Sequence, residues 1–136
     1  MNEPLRIKGE WFFEINGHVL GPYQNAITQK GYQAIADMIG KLPSPYLVVG
    51  SDNTPGETIT EVFRKAVSAV ITEGRMVRFR TQLLPTECNG DFNKVAIFYG
   101  ASDSPGSGTM LNYLVHPWSK TANQVMTVEA RITVGE

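Results

Sequence analysis

Residues Ile27 to Gly40 read ITQKGYQAIADMIG, and their reading decides the fold because they alone carry a clear helical period. Ile27, Gly31, Ile35, Met38 and Ile39 recur at spacings of three and four, which sets them on one stripe of a 3.6-residue repeat. Thr28 is placed to cap the N-terminus, and Gly40 stands where a left-handed C-cap is wanted. The spacing therefore predicts one short α-helix over about residues 28–39. Gly31 costs about 1 kcal/mol relative to Ala in a helix interior, so on the apolar stripe it is expected to mark close approach to another backbone. The stripe needs a partner surface, and the rest of the chain offers strands.

Before the helix, Glu10 to Leu20, EWFFEINGHVL, reads as a hairpin with Asn16-Gly17 supplying the positive-φ pair of a type I′ turn. Trp11, Phe13 and Ile15 alternate on one face, but Phe12 lies on the other, so both faces carry aromatic surface. That excess points to contact with another element or a neighbouring chain. Gly21-Pro22 is expected to break the second strand.

After the helix, Tyr46-Leu47-Val48-Val49 reads as a buried strand ending at Gly50, and Ser51 to Glu57, SDNTPGE, as a solvated loop. Asp52 and Glu57 lack the ligand number and spacing of a calcium loop. Thr58 to Ile71 mixes signals and is read as strand from about Phe63. In Arg75 to Leu84, Val77, Phe79 and Thr81 point inward, and Arg78 and Arg80 point outward with Met76 and Gln82. Arg75, Arg78 and Arg80 read as edge protection or interface charge rather than a phosphate patch. Lys94 to Tyr99 is an apolar strand, Ala101 to Gly108 a flexible loop by composition, and Thr109 to His116 a strand interrupted by Pro117 and Trp118. Gln124 to Val134 closes the chain with the cleanest alternation, Met126, Val128, Ala130, Ile132 and Val134 facing inward. The expected architecture is a mainly β, antiparallel β-sandwich with the helix packed on it.

With 136 residues, the chain fits a single domain. Twelve Lys and Arg stand against 13 Asp and Glu, so no global field favours nucleic acid or an anionic membrane. No apolar run approaches the roughly 18 residues of a membrane span, and MNEPLRIKGE lacks the apolar core of a signal peptide. Synthesis and folding in the cytoplasm are the expectation. Cys88 is the only cysteine, so no intrachain disulfide can form.

Catalytic chemistry finds little footing. His18 and His116 have no second histidine or cysteine at ligand spacing, Gly106-Ser107-Gly108 lacks the frame of a nucleophile elbow, and no base accompanies Cys88. The acids Glu87, Asp91 and Asp103 form no pair that spacing alone identifies. No catalytic residue, cofactor or metal is expected.

The order of segments resembles a group of small structural proteins of tailed-bacteriophage virions, found as tail, tail-fibre or unassigned particle components. The likeness runs from Gln24 to Val134. It rests on Asn25, Ile27, Thr28, Gly31, Ala34, Ile35 and Ala36 of the helix, then on Val49-Gly50 and Thr54-Pro55. Glu61, Arg64, Lys65 and Ala66 follow, then Val95 to Phe98, Gly108 to Asn112, Ser119 to Ala122 and the final TVEARITV. Asn93-Lys94 and Pro117-Trp118 depart from the group, which carries R-E and P-P there. The resemblance implies a non-catalytic virion component whose partners are copies of itself and other virion proteins, in tail, fibre, baseplate or neck, or as a capsid decoration or head fibre. Neither nucleic acid nor membrane is among the expected partners.

Large aromatics are enriched at interface cores, so Trp11, Phe12, Phe13 and Trp118 are the candidate contacts. Ordinary core positions are the competing reading for each. A second expectation, from a different class, is a β-sandwich that recognises a host receptor or carbohydrate, with Asp52, Asn53, Asn89 and Asp91 accepting hydroxyl hydrogen bonds beside exposed aromatics.

Overall fold

Alternation of apolar side chains gives this chain its sheets, and a computed structural model describes residues 4–135 of it. Their order is β1 (Glu10–Ile15), β2 (His18–Gln24), α1 (Gln29–Gly40), β3 (Tyr46–Gly50), β4 (Glu61–Ala66), β5 (Ala69–Glu73), β6 (Met76–Leu83), β7 (Gly90–Tyr99), β8 (Thr109–Lys120) and β9 (Met126–Thr133). Strands β1 and β2 pair only with each other. The rest form a four-stranded sheet, β4-β3-β7-β8, and a three-stranded sheet, β5-β6-β9, with every strand pair antiparallel.

The two larger sheets face each other across one apolar core. Leu47, Val49 and Ile97 from the first meet Val77, Phe79, Leu83 and Val134 from the second, and Ala36 of the helix completes the set. All are close to fully buried, each leucine or phenylalanine contributing about 1.5–3 kcal/mol relative to exposure. The inward sets predicted for β6 and β9 lie on this face. A second, smaller core forms on the other side of the four-stranded sheet, where Val48, Ala96, Phe98 and Ala101 gather with Ile59 and Met110. This explains why Tyr46 to Val49 is apolar at every position rather than alternating: β3 is covered on both faces.

The helix keeps its predicted N-cap, with the Thr28 hydroxyl accepting from the Gly31 N–H at 3.0 Å. Other expectations for it are corrected. Gly40 is the last helical residue and not a left-handed cap; Lys41 ends the helix in an ordinary φ of −98°. Met38 faces solvent, and the inward stripe is Tyr32, Ile35, Ala36 and Ile39. The close approach belongs to Gly40, where a Cβ would collide with Thr72 Oγ1 of β5. Around Gly31 the nearest atoms are the side chains of Ile27 and Thr28.

Strand boundaries move for identifiable reasons. The segment read as one strand from Phe63 is two, β4 and β5, because the chain crosses between sheets at Val67-Ser68. Pro22 and Pro117 were expected to end strands, yet β2 and β8 run through them. At each, two residues of the proline-bearing strand oppose one on its partner, Gly21-Pro22 against Phe12 and His116-Pro117 against Asn93. A bulge on a strand with a free edge absorbs the missing N–H. Strand β6 is the centre of its sheet, so its arginines do not guard an edge.

Two loops expected to be loose are tied down. Lys94 Nζ, fully buried, donates to the carbonyls of Thr54, Gly56 and Thr58 at 2.7, 3.0 and 2.5 Å, with Asp52 Oδ2 at 3.5 Å. Arg64 pairs with Glu61 at 2.6 and 2.8 Å and reaches the Ser102 carbonyl and the Ser107 hydroxyl, both at 2.8 Å. These contacts hold 51–60 and 101–108 over the smaller core.

Candidate assembly interface

The hairpin β1–β2 stands apart from both cores, since no residue of either strand is buried and none joins either apolar cluster. Its turn forms as the sequence dictates, with Asn16 at φ 50° and Gly17 at φ 83°, and Ile15 opposite His18. The base is closed where the Asn25 N–H donates to the Gly9 carbonyl at 3.1 Å. Residue pairing then sorts the side chains. Trp11 opposes Tyr23 and Phe13 opposes Leu20, so these four and Ile15 share one face, and the Phe13 and Tyr23 rings meet tilted at 56° with centroids 6.0 Å apart. Phe12 and Val19 lie on the opposite side.

Trp11, Phe12 and Phe13 are 60%, 56% and 54% exposed, and Ile15, Val19, Leu20 and Tyr23 are similarly open. An isolated two-stranded hairpin is at best marginally stable in water, and one carrying seven open apolar side chains gains little from its own fold. Trp11, Phe13, Ile15, Leu20 and Tyr23 make one open apolar face of the kind that marks interaction sites, with Phe12 and Val19 open on the reverse. Trp118 sits elsewhere. It is partly buried against the main core and tilts onto Phe92 at 4.9 Å. Trp11, Phe12 and Phe13 are thus brought together, and Trp118 is not.

The residues proposed for sugar recognition divide. Asp52 accepts the Thr60 N–H at 2.8 Å and faces Lys94, while Asn89 accepts from Lys120 Nζ at 2.7 Å and donates to the Pro85 carbonyl. Both are engaged in hydrogen bonds within the fold, although Asn89 is exposed, as are Asn53 and Asp91. Cys88 is buried, and burial pushes its thiol up to about 11.

Charge concentrates on the outer face of the three-stranded sheet. Glu129 accepts from Arg131, Arg78 and Arg80, and Arg78 also reaches Glu73 at 3.0 Å. The three guanidinium groups, Arg131 foremost, hold the Glu129 carboxyl down at about 2. Three cations share two carboxylates here, leaving the face basic.

Sequence reasoning missed the buried lysines Lys94 and Lys120. The first was legible in principle, because Lys94 has the same parity as Ala96 and Phe98 on the covered face of β7. Several residues that carry the family resemblance turn out to hold the fold together: Thr28 caps, Asn25 closes the hairpin, Glu61 and Arg64 pair, and Lys65 binds Glu87 at 2.6 Å.

Among the described residues no group of three or more His, Cys, Asp or Glu could hold a metal ion, and no helix is long and apolar enough to cross a membrane. Comparison with protein-family models and with curated proteins finds no match.

Proposed function

We propose that this chain is a non-catalytic structural component of a tailed-bacteriophage particle that assembles through its N-terminal hairpin. The observation that carries the assembly role is the exposure of seven large apolar side chains on an element outside both cores. Burying such a patch against a neighbour supplies the free energy that the hairpin does not obtain from its own body. The order of motifs from Gln24 to Val134 supports the virion assignment, in the tail, fibre, baseplate or neck or as a decoration of the head.

Molar mass by light scattering over a concentration series tests the assembly role. A defined oligomer is expected, and a monomer up to millimolar protein overturns self-association. Mass spectrometry of purified tailed particles tests the assignment, which fails if the particles lack peptides of this chain.

The open aromatic faces of Trp11, Phe12, Phe13 and Tyr23 also suit stacking on sugar rings, which keeps a receptor-binding role as the second reading. A glycan-binding screen separates the two, since a purely structural module binds none.

A further inference from the structure

The sandwich is one strand short on one side. Four strands face three, and beside the last strand of the narrower sheet, β9, the inner face of β8 is open around Leu114, while Leu111 and Trp118 of the same strand pack on the main core. A cleft of about 310 Å³ lies there, floored by Leu47, Val95 and Ile97 and walled by Val128 and Ala130. Leu114 opposes Val95 and lines the same cleft, an inner-face leucine that is nevertheless 55% exposed. Among the described residues no strand pairs with the outer backbone edge of β9, and one residue is held just at its end. Leu5 forms a bridge with Val134, donating to the Thr133 carbonyl and accepting the Gly135 N–H.

We propose that the hairpin of a second copy of this chain fills the cleft, its β1 adding to the free edge of β9. This rests on the hairpin's role as the assembly element and names its receptor. The alternation of β1 fits that place. With Trp11, Phe13 and Ile15 turned inward, Leu20 and Tyr23 on the same face reach over Leu114 and Ile97 of the neighbour. Glu10 and Glu14 then point outward with Phe12 and Val19, the two carboxylates toward the sheet face where Arg78, Arg80 and Arg131 outnumber Glu73 and Glu129. The hairpin carries no Lys or Arg between Gly9 and Gln29, and with Lys8 lying 4.0 Å from Glu10 it is Glu14 that chiefly supplies the complementarity. The added hairpin makes a five-stranded sheet over the four-stranded one. Donor and receptor are different surfaces, so each copy offers one of each and the contact propagates or closes into a ring.

Complementary variants test it. Phe13→Asp spoils the hairpin and leaves the cleft intact; Leu114→Glu spoils the cleft and leaves the hairpin intact. Each is checked by circular dichroism, with Leu114→Ser in reserve should Leu114→Glu lose the fold. Light scattering is expected to show the unmodified chain associating and each variant at least tenfold weaker. An equimolar mixture of the two recovers a one-to-one pair, because one intact hairpin meets one intact cleft. If Phe13→Asp dissociates the assembly while both Leu114 variants associate normally, the hairpin acts elsewhere, as in hairpin-to-hairpin pairing, and the cleft is overturned while the assembly role stands. A mixture that stays monomeric likewise overturns the pairing. If the unmodified chain is monomeric throughout, both ideas fall together.

Discussion

Lys94 is the buried cation on which one loop of this fold is gathered. Its buried ammonium satisfies three loop carbonyls, faces Asp52 and lies 4.8 Å from the Tyr113 ring. Lys94→Met keeps the length of the side chain but leaves those acceptors unpaired, and removing one partner from a buried set costs on the order of 3 kcal/mol. Urea unfolding at neutral pH is expected to show that loss, and an unchanged midpoint would refute the clamp. Glu129 makes a different prediction. Its carboxyl falls from an ordinary 4.5 to about 2 in the folded chain, so its contribution is fully present above about 4.5 and disappears as pH falls toward 2. Glu61, held down by Arg64, Glu87, held down by Lys65, and Asp52, held down by the Thr60 N–H, act in the same direction. Melting temperature should therefore drop across that acid window, and Glu129→Gln should make the drop shallower. Parallel acid limbs for both proteins would exclude Glu129 as a cause.

Among the elements, the helix and the hairpin depend on opposite things. The helix is fixed by packing, since Gly40 lies against β5 where a Cβ would meet the Thr72 hydroxyl. Gly40→Ala must displace the Thr72 hydroxyl or shift α1 against β5, at an expected cost of about 1 kcal/mol or more despite alanine's better helix propensity. Thr28→Ala, which removes only the cap, is expected to cost about 1 kcal/mol. Thermal unfolding ranks the two, and a stabilised Gly40→Ala protein would disprove the close approach. The hairpin contributes no side chain to either core. Trp11→Ser combined with Phe13→Ser therefore leaves the main unfolding transition within the roughly 0.5 kcal/mol typical of surface changes, while association is lost. Calorimetry that shows the body destabilised by several kcal/mol would make these residues part of the fold instead. The helix itself was legible because its period and cap are local. Its orientation was not, for Met38 and Ala36 are told apart only by which side meets the sheets.

At the scale of the molecule, stability and association reside in different places. The strands β3, β6 and β7 sit centrally in their sheets, and β3 is covered on both faces, so their amides should exchange slowest. Hairpin amides should exchange fast in dilute solution and slow down as concentration rises, while β3 and β7 stay constant. Hydrogen exchange at two concentrations reads this directly, and a hairpin already protected in the monomer would contradict its separate status.

Sequence alone determined the strand-rich class, the single helix with its Thr28 cap, the Asn16-Gly17 turn and the inward sets of β6 and β9. Each follows from side-chain period or from the backbone needs of one or two residues, which are local properties of the chain. It also picked out Trp11, Phe12 and Phe13 as surplus aromatic surface, because an alternating strand with aromatics on both sides has no solvated face. Only the tertiary structure decided that Trp118 packs on Phe92 while those three stay open, and that prolines 22 and 117 sit in bulges. Only it showed that Lys94 and Arg64 fasten the loops, and that a four-stranded sheet faces one of three. These depend on which strand lies beside which, and contacts between residues far apart in sequence leave no period for a linear reading to detect.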